Sequence, residues 1–154
     1  MVNDIARASA MHDIGKIAIP DNILLKPGRL TEDEFEVMKK HSEYGCELLE
    51  HFSGMNNSKF FDYCYEICRH HHERIDRRGY PDHLTGDEIP IYVQAVALAD
   101  VYDALTSKRV YKSAYEHEKA IEMILNGECG AFCETILDCF TRAKADFLQV
   151  SLAG

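Results

Sequence analysis

Three features of the sequence predict an all-α fold. Apolar residues recur at helical spacing along most of the chain. Strand-like alternation is scarce, and proline and glycine fall between the periodic stretches. The 154 residues fit one domain, with 46% hydrophobic and 28% charged residues, as in an ordinary globule. The expected architecture is a bundle of about six helices with long ordered loops, and such loops often carry sites.

The first helix is expected over about Asn3 to Ile14, with Gly15 as its C-terminal stop. The loop IAIPDNILLKPGRL follows, with Pro20 and Pro27. Thr31 opens the second helix, because TEDE places Glu34 three residues after a threonine and forms a capping box. That helix is expected to run to about His51. FSGMNNS reads as a loop. A third helix covers about Lys59 to Glu73, and the Gly79-Tyr80-Pro81 turn ends it. Ile89-Pro90 leads into a long helix through about Leu105. Helices over Glu116 to Leu125 and Glu134 to Phe147 complete the chain.

Several polar residues fit neither a core nor a surface. His12 and Asp13 close the first helix, with Lys16 just beyond. Histidine and lysine suit a helix C-terminus, but an acid there is electrostatically unfavourable. On the second helix Phe35, Met38, Gly45, Leu48 and Leu49 share one face, and His41 falls on it. On the third, Phe60, Phe61, Cys64, Ile67 and Cys68 form an apolar stripe that His71 continues, with His72 about 100° further round. His70 points off the stripe and reads as solvated. In VALADVYDAL, Asp100 and Asp103 lie three apart on one face. A carboxylate in so apolar a run needs a partner, either a basic side chain or a metal.

Taken singly, each residue has a bland reading. Together, four segments bring imidazole or carboxylate to an inward face: His12-Asp13, His41, His71-His72 and Asp100. Mixed nitrogen and oxygen ligands without thiolate suit Mn, Fe, Ni or Zn. A carboxylate such as Asp13 can bridge two ions roughly 3.5–4 Å apart, which fits hydrolysis of a phosphate ester.

Bulk properties narrow the alternatives. Seventeen basic against 26 acidic residues give a net charge of −9. Such a chain does not attract a nucleic acid polymer through its overall field, and bound metal can supply the positive charge an anionic substrate needs. The six cysteines include no C-x2-C pair, so they read as reduced, buried thiols of a cytoplasmic protein. No signal peptide is apparent, and no apolar run approaches a membrane span.

Four motifs, in order and spacing over about residues 8–140, resemble the HD-GYP domains of bacterial signalling. They are HDIGK, KPGRLTEDE with the later KKH, HHERIDRRGYP, and DVYDALTSKRVYK. The resemblance implies an HD-superfamily helical bundle with a metal site between helices. Residues 1–154 would form one HD-GYP domain, without the most N-terminal helix of that family. The implied activity is a metal-dependent phosphodiesterase opening cyclic di-GMP to linear pGpG, in some members onward to GMP. The implied ligands are His12, Asp13, His41, His71, His72 and Asp100. They would hold two divalent transition-metal ions, Fe or Mn ahead of Ni or Zn. Asp13, Lys16 and Asp103 would carry catalysis. Lys16, Arg109 and Lys112 would contact phosphate, with Tyr80 at the rim. Gly79, Tyr80 and Pro81 would also meet a partner carrying a GGDEF domain.

The sequence departs from that pattern in places. Arg77 stands where the family has glycine, and if that position has positive φ it carries strain. Val110 replaces a proline, and Gln94 stands where many members have arginine. The upstream histidine and glutamate of the family have no match. Two alternatives follow: a catalytically incomplete module that binds a cyclic dinucleotide or a GGDEF partner, and an HD hydrolase of another nucleotide.

Overall fold

The computed structural model describes residues 1–53, 58–108 and 114–153. Arg109, Val110, Lys112 and the centre of the expected FSGMNNS loop lie outside the described residues. The fold is all-α, and among the described residues the one strand-like feature is an isolated bridge between Asp76 and Thr85. Contacts divide the chain into two compact units: Met1–His72 with Tyr80–Asp82, and Glu73–Gly79 with His83–Gly154.

The first unit contains α1 (Val2–Ser9), a 3-10 turn (Ile14–Ala18), a single turn α2 (Asp21–Leu24), α3 (Glu32–Lys39), α4 (His41–Ser53) and α5 (Lys59–His70). α4 packs against α5 and against the 3-10 turn, and α1 packs against α5. Ala8, Cys46, Leu49, Cys64, Ile67 and Cys68 are buried between them. Two glycines permit the approach of the 3-10 turn to α4. A Cβ on Gly15 would stand 1.9 Å from the His41 carbonyl oxygen and 2.4 Å from Gly45 N. A Cβ on Gly45 would stand 2.2 Å from Cys68 Sγ.

The expected capping box forms: Thr31 Oγ1 accepts from Glu34 N at 3.3 Å, and Thr31 N donates to Glu34 Oε2 at 2.7 Å. The helix it opens is shorter than the sequence suggests, because the single helix expected to His51 is two. The physical cause is His41, whose ring Nδ1 donates to Met38 O at 2.7 Å. A continuous helix would need that carbonyl for Ser42 N, and a side chain inserted into the ladder breaks it. α1 likewise ends at Ser9, short of Ile14, and α5 ends at His70, short of Glu73.

The second unit contains a 3-10 turn (Gly86–Glu88), α6 (Ile91–Thr106), α7 (His117–Leu125) and α8 (Glu134–Ala153), the last running beyond Phe147. Ala97, Leu98, Tyr102, Ile121, Ile124 and Phe140 belong to its buried core. The Tyr102 hydroxyl shares a hydrogen bond with His117 Nδ1 at 2.6 Å while its ring packs edge-on to Phe147. Gln94 is buried as a structural bridge: Nε2 donates to Ile89 O at 3.1 Å and Oε1 accepts from Cys133 N at 3.1 Å. Glu73, also buried, accepts from His83 N and Leu84 N at 2.9 and 3.0 Å. Arg77 does adopt positive φ, at 66°.

Candidate metal centre

Asp13, His41, His71 and His72 come together in the first unit, each offering a ligand atom within 4.8 Å of the others. The way helices end explains the arrangement. The last carbonyls of an α-helix lack intrahelical donors. At the ends of α1, α3 and α5 an imidazole supplies one. His12 Nδ1 donates to Ser9 O at 2.7 Å, His41 Nδ1 to Met38 O at 2.7 Å, and His71 Nδ1 to Ile67 O and Cys68 O, both at 3.0 Å. A carbonyl only accepts, so each Nδ1 carries the proton. In His41 and His71, both buried, Nε2 is then a bare lone pair, whereas His12 Nε2 lies 3.3 Å from Asp13 Oδ2 as a hydrogen-bond partner of that carboxylate.

Those lone pairs face one another and the carboxylate. His41 Nε2 and His71 Nε2 are 3.4 Å apart. Asp13 Oδ1 lies 3.4 Å from His41 Nε2 and 3.9 Å from His71 Nε2, and is buried with no hydrogen-bond partner. Asp13 Oδ2 turns the other way, 3.3 Å from His12 Nε2 and 2.5 Å from Lys16 Nζ. His41 and His71 are fully buried, at 1% and 0% exposure, so water does not relieve this crowding of acceptors.

The protonation states agree. Burial pushes the His41 pKa down and outweighs the opposing pull of Met38 O and Asp13, keeping the ring neutral. Burial acts to raise Asp13, but hydrogen bonds and charge from His12 and Lys16 outweigh it and hold the carboxyl well below the usual range. Converging acceptors, an orphaned carboxylate oxygen and three negative helix ends together fit a divalent cation. Nitrogen and oxygen donors with the second ring nitrogen tied to backbone are the usual setting of a metal-ligating histidine.

Around this cluster the Tyr80 ring stacks on His72, with centroids 4.6 Å apart and planes at 24°. Tyr80 and Pro81 are half-buried, Gly79 is buried, and the Tyr80–Pro81 peptide is cis. Arg69 holds the segment to α5 by a two-pronged pair with Asp82, at 2.6 and 2.7 Å. His70 adds a third bond to Asp82 at 2.9 Å and a fourth to Glu66 at 3.0 Å. His70 is therefore a clamp rather than the solvated residue its position on the helix suggested. Burial works against its charge, but Glu66 and Asp82 outweigh that and raise its pKa.

Two other expected site residues belong to α6. Asp100 is half-buried on α6 in the second unit, and Asp103 is exposed there, accepting from Ser107 Oγ at 3.1 Å. Sequence reasoning missed Phe35 as a surface residue, since it is 48% exposed, and missed the buried Ser42 hydroxyl beside His41, which has no hydrogen-bond partner. The cysteines are all free, but Cys139 is exposed, unlike the buried Cys46, Cys64 and Cys68.

A family model described as HD domain matches residues 1–128. The chain belongs to the HD domain family. This domain is 45% identical over 149 residues to "Cyclic di-GMP phosphodiesterase response regulator RpfG" of Xanthomonas campestris pv. campestris, covering 97% of this chain and 38% of the relative. It is 43% identical to a "Probable cyclic di-GMP phosphodiesterase" of Vibrio cholerae serotype O1, covering 94% of this chain and 33% of that one. A "3'3'-cGAMP-specific phosphodiesterase 2" of the same organism is 45% identical over 121 residues, 79% of this chain and 22% of the relative. The HD domain chain thus spans well under half the length of these curated relatives. No helix among its described residues is long and apolar enough to cross a membrane.

Proposed function

We propose that this HD domain is a metal-dependent phosphodiesterase that opens cyclic di-GMP to linear pGpG. The observation that carries the reading is the buried meeting of Asp13 Oδ1 with the inward Nε2 atoms of His41 and His71, a donor set in need of a cation. The names of the relatives supply the substrate. Two ions, Fe or Mn, suit the way the Asp13 carboxylate turns one oxygen toward His41 and His71 and the other toward His12. Held by His12, Asp13, His41, His71 and His72, with Asp100 as a further ligand, they supply Lewis acidity toward the diester and make water acidic near neutral pH.

The remaining work falls to the chain itself. Lys16 neutralises Asp13 and is close enough to pass its charge to a phosphate oxygen once that carboxylate is otherwise occupied. Arg109 and Lys112 serve as further phosphate contacts, and Asp103 supports the ligand set. Tyr80 fixes the His72 ring and borders the substrate. Gly79, Tyr80 and Pro81 form the surface for a GGDEF partner, and the setting is cytoplasmic signalling.

The similarity to a 3'3'-cGAMP-specific enzyme favours a second reading, hydrolysis of the mixed dinucleotide at the same centre. One experiment addresses both. Metal per chain is measured by elemental analysis, and the loaded protein is assayed against cyclic di-GMP and 3'3'-cGAMP. The expected result is about two ions and faster turnover of cyclic di-GMP, both lost in Asp13→Asn. A wild-type chain that binds no transition metal would sink the proposal. Faster turnover of the mixed dinucleotide would replace the substrate.

A further inference from the structure

The exposed ring of Phe35 has no role in the core and none in holding a metal. Helical spacing placed it on the buried face with His41, but α3 ends at Lys39 and Phe35 is 48% exposed. Its surroundings are specific. Phe35 meets Tyr80 edge-on, with centroids 6.4 Å apart, and Tyr80 stacks on His72 at 4.6 Å. A single aromatic ring therefore separates an exposed apolar face from a residue of the metal cluster. The Lys39 ammonium lies 5.6 Å from the Phe35 centroid and 5.7 Å from that of Tyr80. Glu36 Oε1, 2.5 Å from Lys39 Nζ, keeps the ammonium at this place.

Resting on the phosphodiesterase reading above, we propose that Phe35 and Lys39 form the base-recognition subsite: a purine stacks on Phe35 and Lys39 donates to its acceptor edge. A nucleotide extends several ångströms from phosphorus to base, so the base of a diester at the cluster has the length to reach Phe35 past Tyr80. An aromatic platform accepts any base, so stacking alone gives affinity without choice. Lys39 adds the choice. Guanine presents two adjacent acceptors, O6 and N7, whereas adenine pairs N7 with an amino donor. An ammonium with no acceptor capacity favours guanine.

The test compares wild type, Phe35→Ala, Phe35→Trp and Lys39→Met as metal-loaded full chains. Phe35→Ala is expected to raise KM for cyclic di-GMP roughly 10- to 100-fold, the worth of one base–aromatic stack. Its metal content and its inhibition constant for inorganic phosphate, which carries no base, should stay at wild-type values. Phe35→Trp should restore KM. Lys39→Met should cut the preference for cyclic di-GMP over cyclic di-AMP by about tenfold. In a stopped-flow experiment before turnover, a cyclic dinucleotide carrying 2-aminopurine should be quenched by wild type and not by Phe35→Ala. An unchanged KM and unchanged quenching in Phe35→Ala overturn the subsite and leave the phosphodiesterase reading standing. Equal losses toward phosphate and dinucleotide make Phe35 merely structural and also overturn it. A wild-type protein that neither quenches the probe nor hydrolyses any cyclic dinucleotide overturns both.

Discussion

Replacing Gly15 with alanine tests how the fold places its carboxylate. The added Cβ would sit 1.9 Å from the His41 carbonyl oxygen and 2.4 Å from Gly45 N. Both are backbone atoms of α4, so no side chain can swing aside. Non-bonded heavy atoms settle near about 3.5 Å, which means the turn must withdraw from α4 by more than about 1 Å. Overpacking of this kind costs about 1–3 kcal/mol, against at most about 1 kcal/mol gained from the helix propensity of alanine. The consequence for metal is larger. Asp13 lies two residues before Gly15, and metal–ligand distances tolerate only about ±0.2 Å. A shift of 1 Å takes Asp13 Oδ1 out of reach of an ion held by His41 and His71. Gly15→Ala is therefore expected to lower Tm by a few degrees and metal affinity by at least about 100-fold, the upper end for loss of a group that merely orients a ligand. Calorimetry and metal titration on the same preparation read the two effects. A variant that melts early but binds metal as tightly as wild type would refute the claim that this contact positions Asp13. One that keeps both would refute the packing argument itself.

Two further outcomes follow from single positions. Arg77, at φ 66°, occupies a region that costs an L-residue about 1–2 kcal/mol, whereas glycine loses only its extra unfolded-state freedom there. Arg77→Gly should stabilise the chain by about 0.5–1 kcal/mol, a rise of roughly 2 °C in Tm, and a fall in Tm would contradict the strain. Asp82 has its pKa lowered, first by hydrogen bonds from Arg69 and then by His70, against the opposing effect of burial. A depressed carboxylate contributes stability above its unfolded value, near about 3.9, and loses it as pH falls through the folded value below that. The Tm gap between wild type and Asp82→Asn should be steady from pH 6 to about 4.5 and close below about pH 4. A gap that instead opened in acid would mean that the clamp is not ionic.

Part of the candidate site was legible because its chemistry is local. The capping box in TEDE, the carboxylate of HDIGK and the paired histidines of HHER each announce themselves within a few residues. Arg77 was legible as a condition: standing where the resembled family has glycine, it would carry strain if that position had positive φ, and its φ is 66°. What escaped depended on groups meeting through space. His41 reads as one more inward residue of a long helix. Its ring takes Met38 O where that helix is interrupted, and Phe35 on α3 is 48% exposed rather than inward. His70 reads as solvated from its helical angle, but Asp82, twelve residues on, returns to it. The contact between Gly15 and Gly45 joins segments thirty residues apart, and in sequence Gly15 is only a helix stop.

The helix ends explain why an acidic chain can build such a centre at all. Placing a carboxylate oxygen against the inward ring nitrogens of His41 and His71 at negative helix termini is unfavourable in the absence of a cation, and burial magnifies the repulsion. Each backbone bond to Nδ1 deepens the effect, because it stabilises the helix end while denying the ring the tautomer that would donate inward. The atoms whose crowding is unfavourable are thus the same atoms that would hold a divalent ion. An ion held there would reverse the sign of the local field, and under the proposed function a phosphodiester would meet positive charge inside a protein whose net charge is −9. On this view Lys16 is a stand-in. It sits 2.5 Å from Asp13 Oδ2 and neutralises that oxygen, and under the proposed function its ammonium would be beside the centre for a phosphate.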